Sequence, residues 1–187
     1  MKLLKIAVLS IILLSLFTMG GCATFPGPES SITGFQKVSF EKKEVHLSLP
    51  VVVEKDMETK KTPDATEKAV ASEVYTNLKE NLARGNILSS RKNNNLISVE
   101  LKVHYIDEYF GAYKYFGVVS DRGVGGQIIM VRAVLKKEKI GVVAQIDSLH
   151  NTASYISRKP LTSRVAPELA NQIEKILKEG VSIGKSP

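Results

Sequence analysis

Apolar residues recur every three to four positions in two segments of the chain, and this spacing predicts two amphipathic helices. Asp64 and Glu67 have the spacing of a capping box, so the first helix is predicted to begin after Asp64 and to end at Gly85. The second is predicted over residues 163–180, with Gly180 as its stop. The residues expected to face the core are Val70, Val74, Leu78 and Leu82 in the first helix and Leu169, Ile173, Ile176 and Leu177 in the second.

Alternation of apolar and polar residues predicts strands around these helices. The longest, residues 97–105, directs its apolar side chains to one face and leaves His104 with the polar residues on the other. Four further strands are predicted, of which the last two form a hairpin with a charged tip: residues 35–40, 44–54, 127–135 and 140–150. The order of elements predicts an α+β fold, in which a largely antiparallel or mixed sheet of about four to six strands carries two amphipathic helices packed on one face.

The amino terminus has the pattern of a secretory signal. Lys2 and Lys5 precede an apolar run over residues 6–17, which is shorter than the roughly 20 residues that a membrane span needs. The Met-Gly-Gly-Cys sequence at 19–22 resembles the lipobox of bacterial lipoproteins, whose cysteine receives a diacylglycerol. Cys22 is the only cysteine in the chain, and lipidation accounts for it better than an unpaired thiol in an exported protein does.

The lipobox resemblance implies a protein attached to a lipid bilayer through acylated Cys22. Ala23 follows the cysteine where an aspartate would resemble an inner-membrane retention signal, so we expect an envelope location at the outer membrane, facing the periplasm. The expected organisation is a signal peptide, a lipidated tether, a single periplasmic α+β domain and a carboxy-terminal tail, at residues 1–21, 22–31, 32–180 and 181–187.

Length and charge add modest constraints. Removal of residues 1–21 from the 187-residue chain leaves 166 residues, enough for one domain with a core of its own. It also removes Lys2 and Lys5, which lowers the formal net charge from +7 to +5. The positive excess is spread along the chain, which favours a solvated surface over a dedicated site for an anionic membrane or polymer, and no nucleic-acid partner is expected.

Few residues are arranged for chemistry. His46, His104 and His150 lie singly in separate predicted strands and lack the spacing of metal ligands. Two S-x-x-K sequences lack the companion motifs of penicillin-recognising hydrolases. The glycine-rich stretch 121–127 opens a strand instead of a helix, which indicates a bulge and not a phosphate loop. The sequence therefore predicts no enzyme, no cofactor and no metal site.

Aromatic residues are concentrated before that glycine-rich stretch. Six of the eleven aromatic residues that follow the signal peptide fall within residues 105–116. Large rings in a connection of about fifteen residues can be packed over the sheet edge or offered to a partner or a membrane, and both interpretations stay open. The residues of this predicted partner-binding loop are Tyr109, Phe110, Tyr113, Tyr115 and Phe116.

The segment from Val70 to Leu177 resembles a family of bacterial envelope lipoproteins of unknown function. The shared pattern is an amphipathic helix, a strand of the LISVELKV type, a glycine-bearing stretch, a hairpin and a closing helix. More distantly, it is similar to the penicillin-binding-protein activator lipoproteins, the amino-terminal domain of TolB and the curli-secretion lipoprotein. The chain departs from the family at its second hairpin, where Lys136–Lys139 replaces an acidic residue and a glycine, and Gly141 comes late.

These resemblances imply no catalytic residues. The function expected from the sequence is a membrane-anchored, non-enzymatic binding or assembly role with another envelope protein as partner. The alternative is a structural subunit of an outer-membrane secretion or export complex, in which residues 105–126 pair with neighbouring copies.

Overall fold

The structure is a computed structural model, which describes residues 29–49, 51–53, 64–90, 96–106, 113–115, 118–120, 127–151 and 158–186. The helices within these ranges are α1 (Ala65–Arg84) and α2 (Arg158–Glu179). The strands are β1 (Glu29–Gly34), β2 (Val45–Leu47), β3 (Val52–Val53), β4 (Ile97–Ile106), β5 (Tyr113–Tyr115), β6 (Val118–Ser120), β7 (Ile128–Lys137), β8 (Gly141–Asn151) and β9 (Gly184–Ser186).

Seven of these strands form one mixed sheet in the order β2–β4–β7–β8–β1–β9, with β3 paired to β4 further along the edge that β2 occupies. Strands β2 and β3 run parallel to β4, and the other pairs are antiparallel. The α+β prediction is confirmed, with one strand more in this sheet than the largest number expected. Strands β5 and β6 make a separate two-stranded sheet.

Helix α1 begins as the sequence predicts. Oδ1 of Asp64 accepts hydrogen bonds from the backbone N–H groups of Thr66 and Glu67 at 2.8 and 3.0 Å. In turn, Oε2 of Glu67 accepts a hydrogen bond from the Asp64 N–H at 2.7 Å, and this completes a capping box. The end of the helix differs in detail: Gly85 has right-handed helical geometry, and Asn86 takes the positive φ of 54° that a terminating glycine usually supplies.

The core lies between the helices and one face of the sheet. Both predicted apolar stripes are buried, as are the apolar residues of β4 that alternate along one face. These residues pair across the ladder with β7, where Leu101 lies opposite Ala133 and Val103 opposite Val131. Burial of this many aliphatic side chains is the main stabilising contribution, at roughly 25 cal/mol per Å² of apolar area.

His104 contradicts the expectation of a polar, water-facing side on β4, because only 1% of its surface is exposed. Its neighbour across the ladder is Met130, whose own neighbour on β8 is Leu149, and both are buried. The sheet is therefore dry on both faces at this position. Alternation in the sequence reports which residues share a face, but it does not report what covers that face.

The domain boundaries expected from composition are wrong at both ends. Residues 29–31, assigned to the tether, begin β1, which pairs with β8 from Glu29 opposite Leu149 to Gly34 opposite Ala144. Residues 184–186, assigned to the tail, form β9 on the outer side of β1. Long-range pairing creates both strands, and composition carries no signal of it. The main sheet thus includes residues from Glu29 in β1 to Ser186 in β9.

Two local expectations also fail. Residues 35–40 do not form a strand and contribute one bridge, between Val38 and Val181. The strand predicted over 44–54 is divided into β2 and β3, and Leu49 is 68% exposed because β2 ends at Leu47. Helix α2 starts at Arg158, five positions before the predicted start, and ends before Gly180 as predicted, with Gly180 at a φ of +81°.

Candidate functional site

The two ends of the main sheet are formed by different strand termini. At one end lie the first residue of β1, the last of β4, the first of β7 and the last of β8, which are Glu29, Ile106, Ile128 and Asn151. Their register confirms the grouping, because Ile128 pairs with both Ile106 and Asn151, and Glu29 pairs with Leu149. We call this the proximal end. The distal end is formed by Gly34, Ile97, Lys137, Gly141 and Gly184.

The sequence-predicted sites connect to the proximal end. Cys22 lies outside the described residues, and six residues separate it from Glu29. The aromatic segment lies in the connection that leaves the sheet at Ile106 and returns at Ile128. Tyr109, Phe110 and Phe116 also lie outside the described residues.

Tyr113 and Tyr115 are the first and last residues of β5, and they pair with Ser120 and Val118 of β6. The connection predicted as a loop therefore contains a short β-hairpin, because residues on either side of Phe116 pair with one another.

Five polar side chains meet between α2 and the sheet: Ser30, Ser148, His150, Glu168 and Gln172. Nε2 of His150 lies 2.9 Å from Oγ of Ser148 and 3.0 Å from Oε2 of Glu168. Nε2 of Gln172 donates to Oγ of Ser30 at 3.3 Å, and Ser30 is the register partner of Ser148. This cluster, which we call the buried polar cluster, links α2 to the two adjacent strands β1 and β8.

The electrostatics of the cluster favour an ionised carboxylate. The hydrogen bond from His150 lowers the pKa of Glu168, an effect that exceeds the opposing effect of burial, and a hydrogen bond with Ser30 lowers it further. Ser148 and His150 are each 3% exposed. His150 lies in β8, in a strand predicted from the sequence, and its ring nitrogen contacts a serine and a glutamate.

The geometry does not match a nucleophilic triad. In a Ser-His-Asp arrangement the carboxylate and the serine contact opposite ring nitrogens, so that the proton can pass from the hydroxyl to the imidazole. Here Ser148 and Glu168 both contact the same nitrogen, Nε2. Within the described ranges, no group of three or more His, Cys, Asp or Glu residues could hold a metal ion. The contacts of the cluster join α2 to β1 and β8.

Ion pairs tie neighbouring strands together on the face of the sheet opposite the helices. Arg132 and Asp147 are register partners, and they form two bonds, Nε to Oδ1 at 2.6 Å and Nη2 to Oδ2 at 3.1 Å. Nζ of Lys136 contacts Oε2 of Glu100 at 2.6 Å. Pairs of this kind align adjacent strands.

The distal end carries exposed apolar side chains that sequence reasoning missed. Phe35, Ile140 and Ile183 are 47%, 39% and 74% exposed, and we call them the distal patch. Two hydrogen bonds bring their segments together: the N–H of Phe35 donates to the Val143 carbonyl at 3.0 Å, and the side-chain Nε2 of Gln36 donates to the Ile140 carbonyl at 3.1 Å. Ile183 directly precedes Gly184, the partner of Gly34 in β1. Phe35 and Ile140 lie in segments predicted as strands and Ile183 in the predicted tail, so the approach of these segments depends on tertiary pairing.

Lysines accompany the distal patch. Lys37 and Lys139 are exposed, while Lys136 is engaged by Glu100. Lys139 has a φ of 68°, in the left-handed region that a residue with a side chain rarely adopts. No helix in the described part of the chain is long and apolar enough to cross a membrane.

Comparisons with known proteins identify loose structural resemblances. No protein-family model matches the sequence, and no curated protein matches it significantly. The fold is similar to the PelC dodecamer from Paraburkholderia phytofirmans, at 13% identity and a TM-score of 0.47 over 79% of this chain and 97% of that one. It is also similar to rare lipoprotein B from Shewanella oneidensis, at 11% identity and a TM-score of 0.37 over 72% and 94%. One neighbour is thus a lipoprotein by name, but scores below 0.5 do not assign this chain to a family.

Proposed function

We propose that this protein is a membrane-anchored envelope lipoprotein, whose α+β domain has a non-enzymatic binding or assembly role. The observation that carries the proposal is the lipobox cysteine, Cys22, six residues before the first strand of the sheet. A folded domain so close to an acylated residue is held at the membrane surface. Two or three acyl chains on one cysteine supply stable anchoring, which a single chain does not.

The absence of catalytic function is part of the proposal. It is supported by the buried polar cluster, in which Ser148 and His150 are shielded from solvent and Glu168 engages the nitrogen that an activated serine would need. It is also supported by the distal patch, since exposed large apolar residues gathered at one place are typical of contact surfaces.

The location is proposed as the outer membrane, on the side that faces the periplasm. This rests on Ala23 after Cys22. Tyr109, Phe110, Tyr113, Tyr115 and Phe116 stay a predicted contact segment.

The test is a comparison of the native chain with Cys22→Ser in growing cells. We expect the native chain to be cleaved before Cys22, to incorporate radiolabelled palmitate and to sediment with membranes. The variant should stay uncleaved or move to the soluble fraction without label. Ser90→Ala, a change at an exposed residue, is the control and should behave like the native chain. If Cys22→Ser is processed and sediments like the native chain, the lipoprotein assignment is wrong.

Stoichiometry separates the binding role from the alternative of a structural subunit in a secretion or export complex. Light scattering of the full chain, extracted in detergent, should give a monomer for a binding lipoprotein. A ring or other closed oligomer would favour the structural subunit.

A further inference from the structure

We propose that the distal patch is the docking surface for a partner protein, which presents an apolar side chain between acidic residues. This inference rests on the proposed function for its orientation, because Cys22 at the membrane determines which way the patch faces. Its other premises are the exposure, proximity and charge of residues at the distal end.

The patch is an apolar surface of the kind that proteins use for contact. Phe35, Ile140 and Ile183 come from three segments, namely the end of β1, the β7–β8 turn and the approach to β9. Among the residues whose side chains the structure describes, one other large apolar residue is exposed, Leu49. Scattered exposed apolar residues need no explanation, but three on adjoining segments from distant parts of the sequence do.

Tether length argues against the anchoring membrane as the occupant. Seven Cα-to-Cα steps from Cys22 to Glu29 span at most about 25 Å when fully extended. Ile140 lies nine positions along β8 from Leu149, which is level with Glu29, and this corresponds to about 30 Å. A relaxed tether of this length spans only about 15 Å. The tether therefore keeps the proximal end nearer the anchor than the distal patch, which favours an occupant from the aqueous compartment over the anchoring membrane.

Charge argues against a second copy and in favour of an acidic partner. Lys37 and Lys139 are exposed and lie two residues after Phe35 and one residue before Ile140. Lys136 is already paired with Glu100, so in residues 137–139 two lysines stand against Glu138. A symmetric contact between two patches would place these lysines against one another, which is unfavourable. Carboxylates beside an apolar anchor would instead pair with them, guide the encounter and define its register.

The backbone at Lys139 fits the same interpretation. A glycine or asparagine would adopt the φ of 68° more readily than lysine does. The chain nevertheless carries a cation at this position, beside Ile140. A strained residue of this kind is expected where its side chain has a use that offsets the cost.

The experiment is site-specific photocrosslinking of the full chain in intact cells. The photoreactive amino acid p-benzoylphenylalanine replaces Phe35, Ile140 or Ile183, one at a time. Lys79 and Glu80, exposed on the outer face of α1, are the matched control positions. We expect a discrete adduct from the patch positions and none from the controls, with mass spectrometry identifying a partner peptide that is net negative and contains an apolar residue.

Charge reversal provides the second arm. Lys37→Glu with Lys139→Glu should reduce the adduct at least tenfold, whereas Lys79→Glu should leave it unchanged. No adduct at the patch, the same adducts from the controls, an adduct with lipid, an adduct with a second copy or insensitivity to charge reversal would each overturn the inference. Failure of the lipoprotein assignment is read separately, from Cys22→Ser fractionation.

Discussion

The proximal and distal ends of the sheet are built from the same strands but differ in what their residues do. At the proximal end, polar side chains turn inward: His150 and Glu168 are paired beneath α2. At the distal end, apolar side chains turn outward: Ile183 is 74% exposed, and the lysines that accompany it are exposed as well. Each arrangement is the reverse of what burial alone would select.

The two ends depart for different reasons from the rule that apolar side chains are buried and polar ones exposed. An inward polar pair is tolerated because each member satisfies the other, and it fixes α2 to one register on the sheet. An outward apolar group has no such compensation within the fold, so its explanation is sought in a contact with another molecule. The first departure is structural, and the second supports a functional proposal.

The largest expected effect comes from Gly34, where the distal end depends on a close backbone approach. A Cβ at this position would lie 1.8 Å from the carbonyl oxygen of Ser182, so any side chain must displace the backbone that leads into β9. We expect Gly34→Val to lower the free energy of unfolding by about 3 kcal/mol and to detach β9, which would disrupt the distal patch. Urea denaturation and hydrogen exchange of the β9 amides measure both effects.

Gly85→Ala is the matched control for that substitution. A Cβ at Gly85 would meet its nearest atom at 3.6 Å, and the residue has a φ of −76°, so the change should alter stability by less than about 1 kcal/mol. Equal denaturation midpoints for the two variants would show that β9 does not depend on the close approach at Gly34.

The next largest effect concerns the proximal end and the loss of folding stability at low pH. The pKa of Glu168 is lower in the folded protein than in the unfolded chain, chiefly because His150 donates to the carboxylate. Its contribution to stability is therefore present above the unfolded pKa, near 4.3, and is lost as the pH falls through the folded pKa. Glu168→Gln keeps an acceptor but cannot ionise, so we expect it to flatten the loss of stability below pH 5, as measured by thermal melts from pH 3 to 7.

Glu80→Gln is the control for the acid arm, since Glu80 lies on the exposed face of α1 and makes only a 3.9 Å contact with Arg84. It should leave the pH profile unchanged. An unaltered profile for Glu168→Gln would mean that the cluster does not contribute to acid sensitivity.

Sequence patterns predicted the helices and the long strands because those elements are defined by local periodicity. The capping box at Asp64 and Glu67 was confirmed, as was the burial of the apolar residues that alternate along one face of β4. The missed elements are short strands that exist only through distant partners: β1 needs β8, and β9 needs β1. The local sequence pattern also does not indicate that the backbone at Ser182 packs directly against Gly34.

The candidate sites also divide into one that a local motif predicts and others that depend on long-range contacts. Cys22 was predicted from a short motif beside a signal, whereas the distal patch is assembled from residues between 43 and 148 positions apart and has no motif. A weak signal was present in Ile183, a large apolar residue in a segment otherwise assigned to a polar tail. The contacts among Ser30, His150 and Glu168 could not be predicted from the sequence either. Glu168 lies in α2, and only the packing of this helix on the sheet brings it to the two strand residues.

The smallest expected effect concerns Lys139. It tests whether the positive charge at this position lowers the stability of the fold, because lysine adopts a positive φ less readily than glycine. Glycine adopts a φ near 68° without the steric conflict of a Cβ, so Lys139→Gly should stabilise the fold by about 0.5–1 kcal/mol while removing one positive charge beside the distal patch. Glu138→Gly is the matched control, because Glu138 is not among the residues with positive φ. It should destabilise by a similar amount through the entropy of the unfolded chain. Thermal denaturation of both variants decides the point: if Lys139→Gly melts below the native chain, then the lysine side chain stabilises the turn, and its strained backbone no longer supports a role in binding.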